Sequence, residues 1–167
     1  MDSSDYNINP GGLVHTVPAV HVQLPIGPFQ CKRLHDDAQL PRWNEGDAGY
    51  DIYSIETIRI GIGERVLADS GIAVRIPDGW VGFVKPRSGM AVQGITTDAG
   101  VIDASYRGEL KILLKNTNRV GIPNRIEKGT RIAQLVILPC FSQPPTWVEE
   151  LDETVRGAGG FGSTGTK

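Results

Sequence analysis

Apolar and polar positions alternate with a period of two over much of this chain, and almost nowhere with the period of a helix. Ile58, Ile60 and Ile62 fall on one side of Glu56–Ile62, the pattern of a half-buried strand. Further strands are expected at Phe29–Leu34, at the end of the turn-and-strand segment Asp47–Ser54, and at Arg65–Leu67, Ser70–Ile76, Trp80–Lys85 and Glu109–Lys115. Residues 94–102 contain β-branched positions around Asp98-Ala99-Gly100 and suggest a hairpin. Arg131–Leu138 is a nearly continuous run of Ile, Ala, Leu and Val, so it belongs in the middle of a sheet. A single short helix is expected at Ser88–Gln93, after the Pro86-Arg87 turn. Short strands broken by turns, with no long helix between them, predict an all-β sandwich or jelly roll.

Composition supports that reading. The 21 glycines and 11 prolines among 167 residues are spread along the whole chain and punctuate it at strand-length intervals. A chain of this size forms one domain with a real core. Residues 1–27 read as a poorly ordered extension, with a short edge strand in Val20–Leu24 and room to dock a protein partner. The folded domain spans 28–155, ending in a Pro-rich and then acidic strap from residue 141. Residues 156–167 form a mobile glycine-rich arm.

The net charge of −2 argues against a general nucleic-acid binder. No stretch approaches the roughly 18 apolar residues of a membrane span. The two cysteines, Cys31 and Cys140, are far apart and read as reduced, buried thiols. With no secretory signal visible, the chain is expected in the cytoplasm, or also in the nucleus of a eukaryotic or virus-infected cell.

Five segments are more polar or glycine-rich than connectors need to be. In Ala48-Gly49-Tyr50-Asp51 an aspartate enters a strand, where it is disfavoured. In Pro86-Arg87-Ser88-Gly89 the serine is placed as a helix N-cap, and an arginine beside that helix start makes an anion site. In Gly100-Val101-Ile102-Asp103 a carboxylate follows apolar residues; half desolvated, it would serve as a general base for a water. Tyr106 follows three residues later and could close over a sugar. In Lys128–Leu135, Gln134 interrupts a central strand, and a buried amide needs partners. The arm Arg156–Gly165 combines an arginine fork, the ring of Phe161, and Gly162-Ser163-Thr164. Its glycines nearly match a P-loop, but Ser163 stands where the lysine belongs, and no strand-to-helix context surrounds it. Each segment alone has an ordinary structural explanation; all five in one chain are another matter.

In this order the segments AGYD, PRSG, GVIDASYRGE, KGTRIAQL and RGAGGFGSTG resemble the five motifs of the trimeric deoxyuridine triphosphate nucleotidohydrolases, the dUTPases. The resemblance covers roughly residues 28–165. It implies a jelly-roll homotrimer whose three sites each draw on all three chains, with the C-terminal arm exchanged between subunits. The implied reaction is hydrolysis of dUTP to dUMP and pyrophosphate, which keeps uracil out of DNA and supplies dUMP for thymidylate synthesis. On this resemblance Asp103 orients the attacking water. Arg87, Ser88, Gly89 and Gln134 meet the phosphates, and the backbone of Gly100, Val101 and Ile102 reads the uracil edge. Tyr106 packs on the deoxyribose and leaves no room for a 2′-hydroxyl. Arg156, Ser163 and Thr164 take the γ-phosphate, and Phe161 with Gly162 closes over the base. Mg²⁺ arrives with the nucleotide and has no direct protein ligand; Asp51 supports its water shell. Where the family often carries an acid two residues after the aspartate, this chain has Ser105.

Two other readings share parts of this pattern. A dCTP deaminase has the same fold and trimer, but GVID-x-x-Y and the Gly-Gly-Phe-Gly arm favour the diphosphatase. A nucleotide-switched trimeric binding protein would use the same site without turnover.

Overall fold

The computed structural model describes residues 29–121 and 124–160. The extension before Phe29, with its expected edge strand at Val20–Leu24, lies outside them, as do Phe161, Gly162, Ser163 and Thr164.

Among the described residues the fold is eleven short strands and one helical turn. In chain order these are β1 (Gln30–Arg33), β2 (Tyr50–Tyr53), β3 (Ile58–Ile60), β4 (Arg65–Ala68), β5 (Ile72–Arg75), β6 (Trp80–Lys85), α1 (Ser88–Val92), β7 (Ile95–Thr97), β8 (Val101–Ile102), β9 (Ile112–Asn116), β10 (Asn124–Ile126) and β11 (Arg131–Pro139). They form four antiparallel groups: β2-β11-β6-β8, β4-β9-β7, β1-β5 and β3-β10. The strands wrap one apolar core in the manner of a jelly roll.

The period-two alternation maps onto that core. In β3, Ile58 and Ile60 point inward and Arg59 outward. In β9, Ile112, Leu114 and Asn116 are buried, with Leu113 and Lys115 between them less so. The buried Asn116 amide is satisfied: it donates to the Ile60 carbonyl at 3.2 Å and accepts from the Asn118 N–H at 3.0 Å. As its sequence predicts, β11 is central, flanked by β2 and β6. Ile132, Ala133 and Leu135 are fully buried on it. Removing such a side chain costs about 2–5 kcal/mol. The register slips between Arg131 and Ala133. That bulge lets Ile132 and Ala133 both face inward; bulges of this kind re-aim a neighbouring side chain.

The structure departs from the sequence reading at four points. Residues 94–102 are not a hairpin: β7 pairs with β9 and β8 with β6, so the connection between them crosses from one sheet to another. Ala99 (φ 56°) and Gly100 (φ 103°) make that crossing. Gly100 is required there, because a Cβ would stand 2.8 Å from the Val84 Cβ, and its carbonyl accepts from the Val84 N–H at 2.8 Å. Second, Ser88 is not the N-cap. Arg87 holds that place in extended backbone (φ −81°, ψ 143°), with no side-chain cap, and Ser88 is the first helical residue. The extended path set by Pro86 continues one residue further than expected, which leaves the serine hydroxyl out of capping. Third, Cys140 is exposed and Cys31 only half-buried; burial pushes the Cys31 thiol up to about 11. Fourth, β10 carries no sequence pattern that announces it.

Candidate functional site

The best-formed polar constellation lies across the centre of the main sheet. Gln134 on β11 sits directly opposite Asp51 on β2 and Lys85 on β6. The Asp51 carboxylate is shared by two arginines. Arg87 Nε donates to Oδ1 at 2.7 Å and Arg131 Nη1 donates to Oδ2 at 2.9 Å. The Asp51 side chain is 20% exposed and that of Arg87 29%, so this is a partly desolvated charge-assisted pair. Gln134 Nε2 donates to the Pro86 carbonyl at 3.1 Å. The Pro86-Arg87 turn is thus held at two points, once through its backbone and once through its guanidinium. Beyond it, Ser88 and Gly89 are exposed, and nothing lies within 4 Å of where a Gly89 Cβ would be. The result is an open, cationic, backbone-lined shelf suited to phosphate oxygens.

Arg131 was not among the residues singled out in the sequence. The signal available was a basic residue opening the central strand, but its partner is 80 positions away, so no local pattern could reveal the pairing. Asp51 was expected near the metal's water shell; both its oxygens are engaged by guanidinium groups, and the geometry makes it the residue that aims Arg87.

Asp103 is elsewhere. Gly82 pairs with Ile102 and Phe83 with Val101, so Asp103 leaves β8 beside Val81. There it shares a groove with Asp78, Trp80, Val81, Cys140 and Ser142. Arg87 follows the opposite end of β6, about 20 Å away at strand rise. Asp103 is exposed, rather than half desolvated as expected. Tyr106 is 43% exposed and its hydroxyl donates to the Glu109 carbonyl at 3.0 Å. Arg156 is exposed in a turn of its own, its Nε donating to the Gly159 carbonyl at 2.9 Å. One chain therefore brings Asp51, Arg87, Ser88, Gly89 and Gln134 together, strings Gly100, Val101, Ile102 and Asp103 along β6 from Val84 to Val81 with Tyr106 in the turn beyond, and hydrogen-bonds Arg156 to its own turn.

Among the described residues, no group of three or more His, Cys, Asp or Glu side chains could hold a metal ion. Mg²⁺ keeps several waters and binds through substrate phosphates and few protein ligands. A cationic shelf without a carboxylate cage fits an ion that comes in on a polyphosphate.

A jelly roll carrying such a shelf defines a β-protein built to hold a phosphorylated ligand, and the comparisons narrow the class. The dUTPase family model matches residues 37–165. The deoxyuridine 5′-triphosphate nucleotidohydrolase of Paramecium bursaria Chlorella virus 1 is 46% identical over 136 residues, 80% of this chain and 95% of its own length. The probable deoxyuridine 5′-triphosphate nucleotidohydrolase of Schizosaccharomyces pombe is 43% identical, over 82% of this chain and 98% of its own. Among solved structures, a point mutant of the Staphylococcus bacteriophage 80alpha dUTPase with dUpNHpp superposes with a TM-score of 0.79 at 34% identity, covering 84% of this chain and 99% of that one. A point mutant of the phage phi11 dUTPase, described with a structural Mg(II) ion, gives 0.71 at 31% identity, covering 76% and 100%. The chain belongs to the dUTPase family.

Proposed function

We propose that this protein hydrolyses dUTP to dUMP and pyrophosphate with Mg²⁺, working as a homotrimer. The hydrolysis rests on family membership together with the phosphate shelf, in which Asp51 and Gln134 hold the Pro86-Arg87 turn in place. In this reading Arg87, Ser88 and Gly89 bind the phosphate chain. Asp103 holds a water in line with the α-phosphorus and takes its proton as it attacks; the α–β anhydride bond breaks and pyrophosphate leaves. Catalysis is then mostly positioning and charge neutralisation. When bound, Mg²⁺ supplies further neutralisation on the phosphates. The backbone of Gly100, Val101 and Ile102 distinguishes uracil from cytosine, since a mispaired polar edge gives discrimination of ~10⁴ or more.

The separation along β6 supports an assembly of more than one copy, to which the resemblance adds that the copies are three. A water held at Asp103 cannot reach a phosphate held at Arg87 of the same chain across about 20 Å. Two copies, with Asp103 of one beside Arg87 of another, bring them together. The jelly roll of 28–155 is the body of each subunit, and the arm 156–167 closes a neighbour's site through Arg156, Phe161, Gly162, Ser163 and Thr164.

The test is pyrophosphate and ammonia release with dUTP, dTTP, dCTP and UTP side by side. Pyrophosphate from dUTP alone is the expected result; ammonia from dCTP without pyrophosphate from dUTP would make the protein a deaminase. Asp103→Asn should keep dUTP binding and lose on the order of 10²–10⁴-fold in turnover. Undiminished turnover in that variant would remove Asp103 from the mechanism.

A further inference from the structure

We propose that the turn following Tyr106 is a specificity-determining device: Gly108 and the Glu109 carbonyl lock the tyrosine ring in place, and the rigidity of that lock sets discrimination against a 2′-hydroxyl. The inference rests on the reading of Tyr106 as the residue that packs on the sugar.

The Tyr106 ring is 43% exposed, so core packing does not immobilise it. Two features of the turn do. Its hydroxyl donates to the Glu109 carbonyl at 3.0 Å, which bends the ring back over its own turn. A Cβ at Gly108 would collide with the Tyr106 hydroxyl and ring carbons, so the ring lies directly on bare glycine backbone. Any other residue there must push it away.

The acceptor end of the tether is itself fixed. The Glu109 carboxylate accepts from the Gly71 N–H at 2.8 Å and pairs with Lys111 at 3.3 Å. Glu109 also bridges to Ala73, and the next residue, Leu110, is fully buried with its N–H on the Ile72 carbonyl at 2.8 Å. The near side is held too: Arg107 Nη1 donates to the Ala104 and Tyr106 carbonyls at 2.6 and 2.8 Å, and the Tyr106 N–H donates to the Asp103 carbonyl at 3.1 Å. A half-exposed ring is thereby tied to the core through one hydrogen bond. Excluding a hydroxyl group is a steric task, and a ring that can swing aside cannot perform it. The tyrosine oxygen therefore acts as a positioning group: it serves the sugar pocket by holding the ring rather than by touching substrate.

The experiment compares kcat/KM for dUTP and UTP in the full-length protein, in Tyr106→Phe, in Gly108→Ala and in the double variant, with the melting temperature of each. Tyr106→Phe keeps the ring and removes the tether, so the dUTP-to-UTP ratio should fall about three- to tenfold, the equivalent of one hydrogen bond. Gly108→Ala should lower the ratio at least as much, through faster UTP turnover. The two effects should be less than additive in the double variant, because both act on one contact. If both single variants keep the parental melting temperature and the parental ratio, the lock does not exist. An unmodified protein inert toward dUTP would instead overturn the functional reading itself. The two failures are therefore distinguishable.

Discussion

Asp51 shows how one side chain can be noticed in a sequence for the right reason and still have its role decided elsewhere. An aspartate in a strand is disfavoured, which flags it as purposeful. Its two arginine partners enter from after β6 and from the start of β11, and no local pattern states that. Charge-assisted hydrogen bonds of this kind contribute about 1.5–3 kcal/mol. Asp51→Asn removes the charge that both guanidinium groups share, so Arg87 should lose its aim. We expect kcat/KM for dUTP to fall roughly ten- to hundredfold by the same range, mainly through KM, with the oligomeric state unchanged. Steady-state pyrophosphate release measures it, and an unchanged KM would show that Arg87 holds its position without the carboxylate. Gln134 is the converse case. A lone amide in an apolar strand was legible as a residue needing a partner, and the partner is the Pro86 carbonyl.

Among the elements, long alternating runs were readable and short connections were not. β6 and β11 follow the predicted segments closely, because each has enough apolar positions to declare a face. β10, three residues of Asn-Arg-Ile, has too few. The β7–β8 connection was misread because turn residues announce a change of direction without saying which sheet receives the next strand. Salt bridges tie several such connections down. Asp98, between β7 and β8, is held below the ordinary carboxyl value of 3.8 chiefly by its hydrogen bond from Arg65 on β4. Lys128 does the same for Asp37, and Arg125 on β10 lowers Glu127 from 4.5. Since these carboxyls are more acidic in the folded chain, the unfolded chain takes up protons first as the pH falls. Stability from these pairs is fully present above the ordinary values of 3.8 and 4.5 and is lost as the pH drops through the lower, folded values. The melting temperature should therefore show no loss from these pairs between pH 8 and 5 and should decline below about pH 4. Added salt should weaken the effect, because the pairs are exposed. A melting temperature that rises on acidification would contradict it.

For the whole molecule, the described strap from Phe141 to Val155 carries no helix or strand and is exposed throughout, with Trp147 and Val155 fully so. On the proposed trimer this strap is where a neighbouring subunit would lie, and it leads directly into the arm that would close that neighbour's site. Truncation after Val155 keeps Phe141, Trp147 and Leu151, so the proposed trimer should persist by light scattering. Turnover should fall on the order of 10²-fold, as when preorganised donors around a reacting group are lost. If the truncated chain is instead monomeric, the arm is structural first. The sequence by itself determined the strand class, the central place of β11 and the family to which its five motifs point, because side-chain periodicity and motif spacing are local properties of the chain. Only the tertiary structure decided that Arg131 joins Asp51, that residues 94–102 cross between sheets, and that Asp103 stands a full strand length from the phosphate shelf. Those facts depend on which strands become neighbours, and pairing across dozens of residues is settled by how the whole core closes.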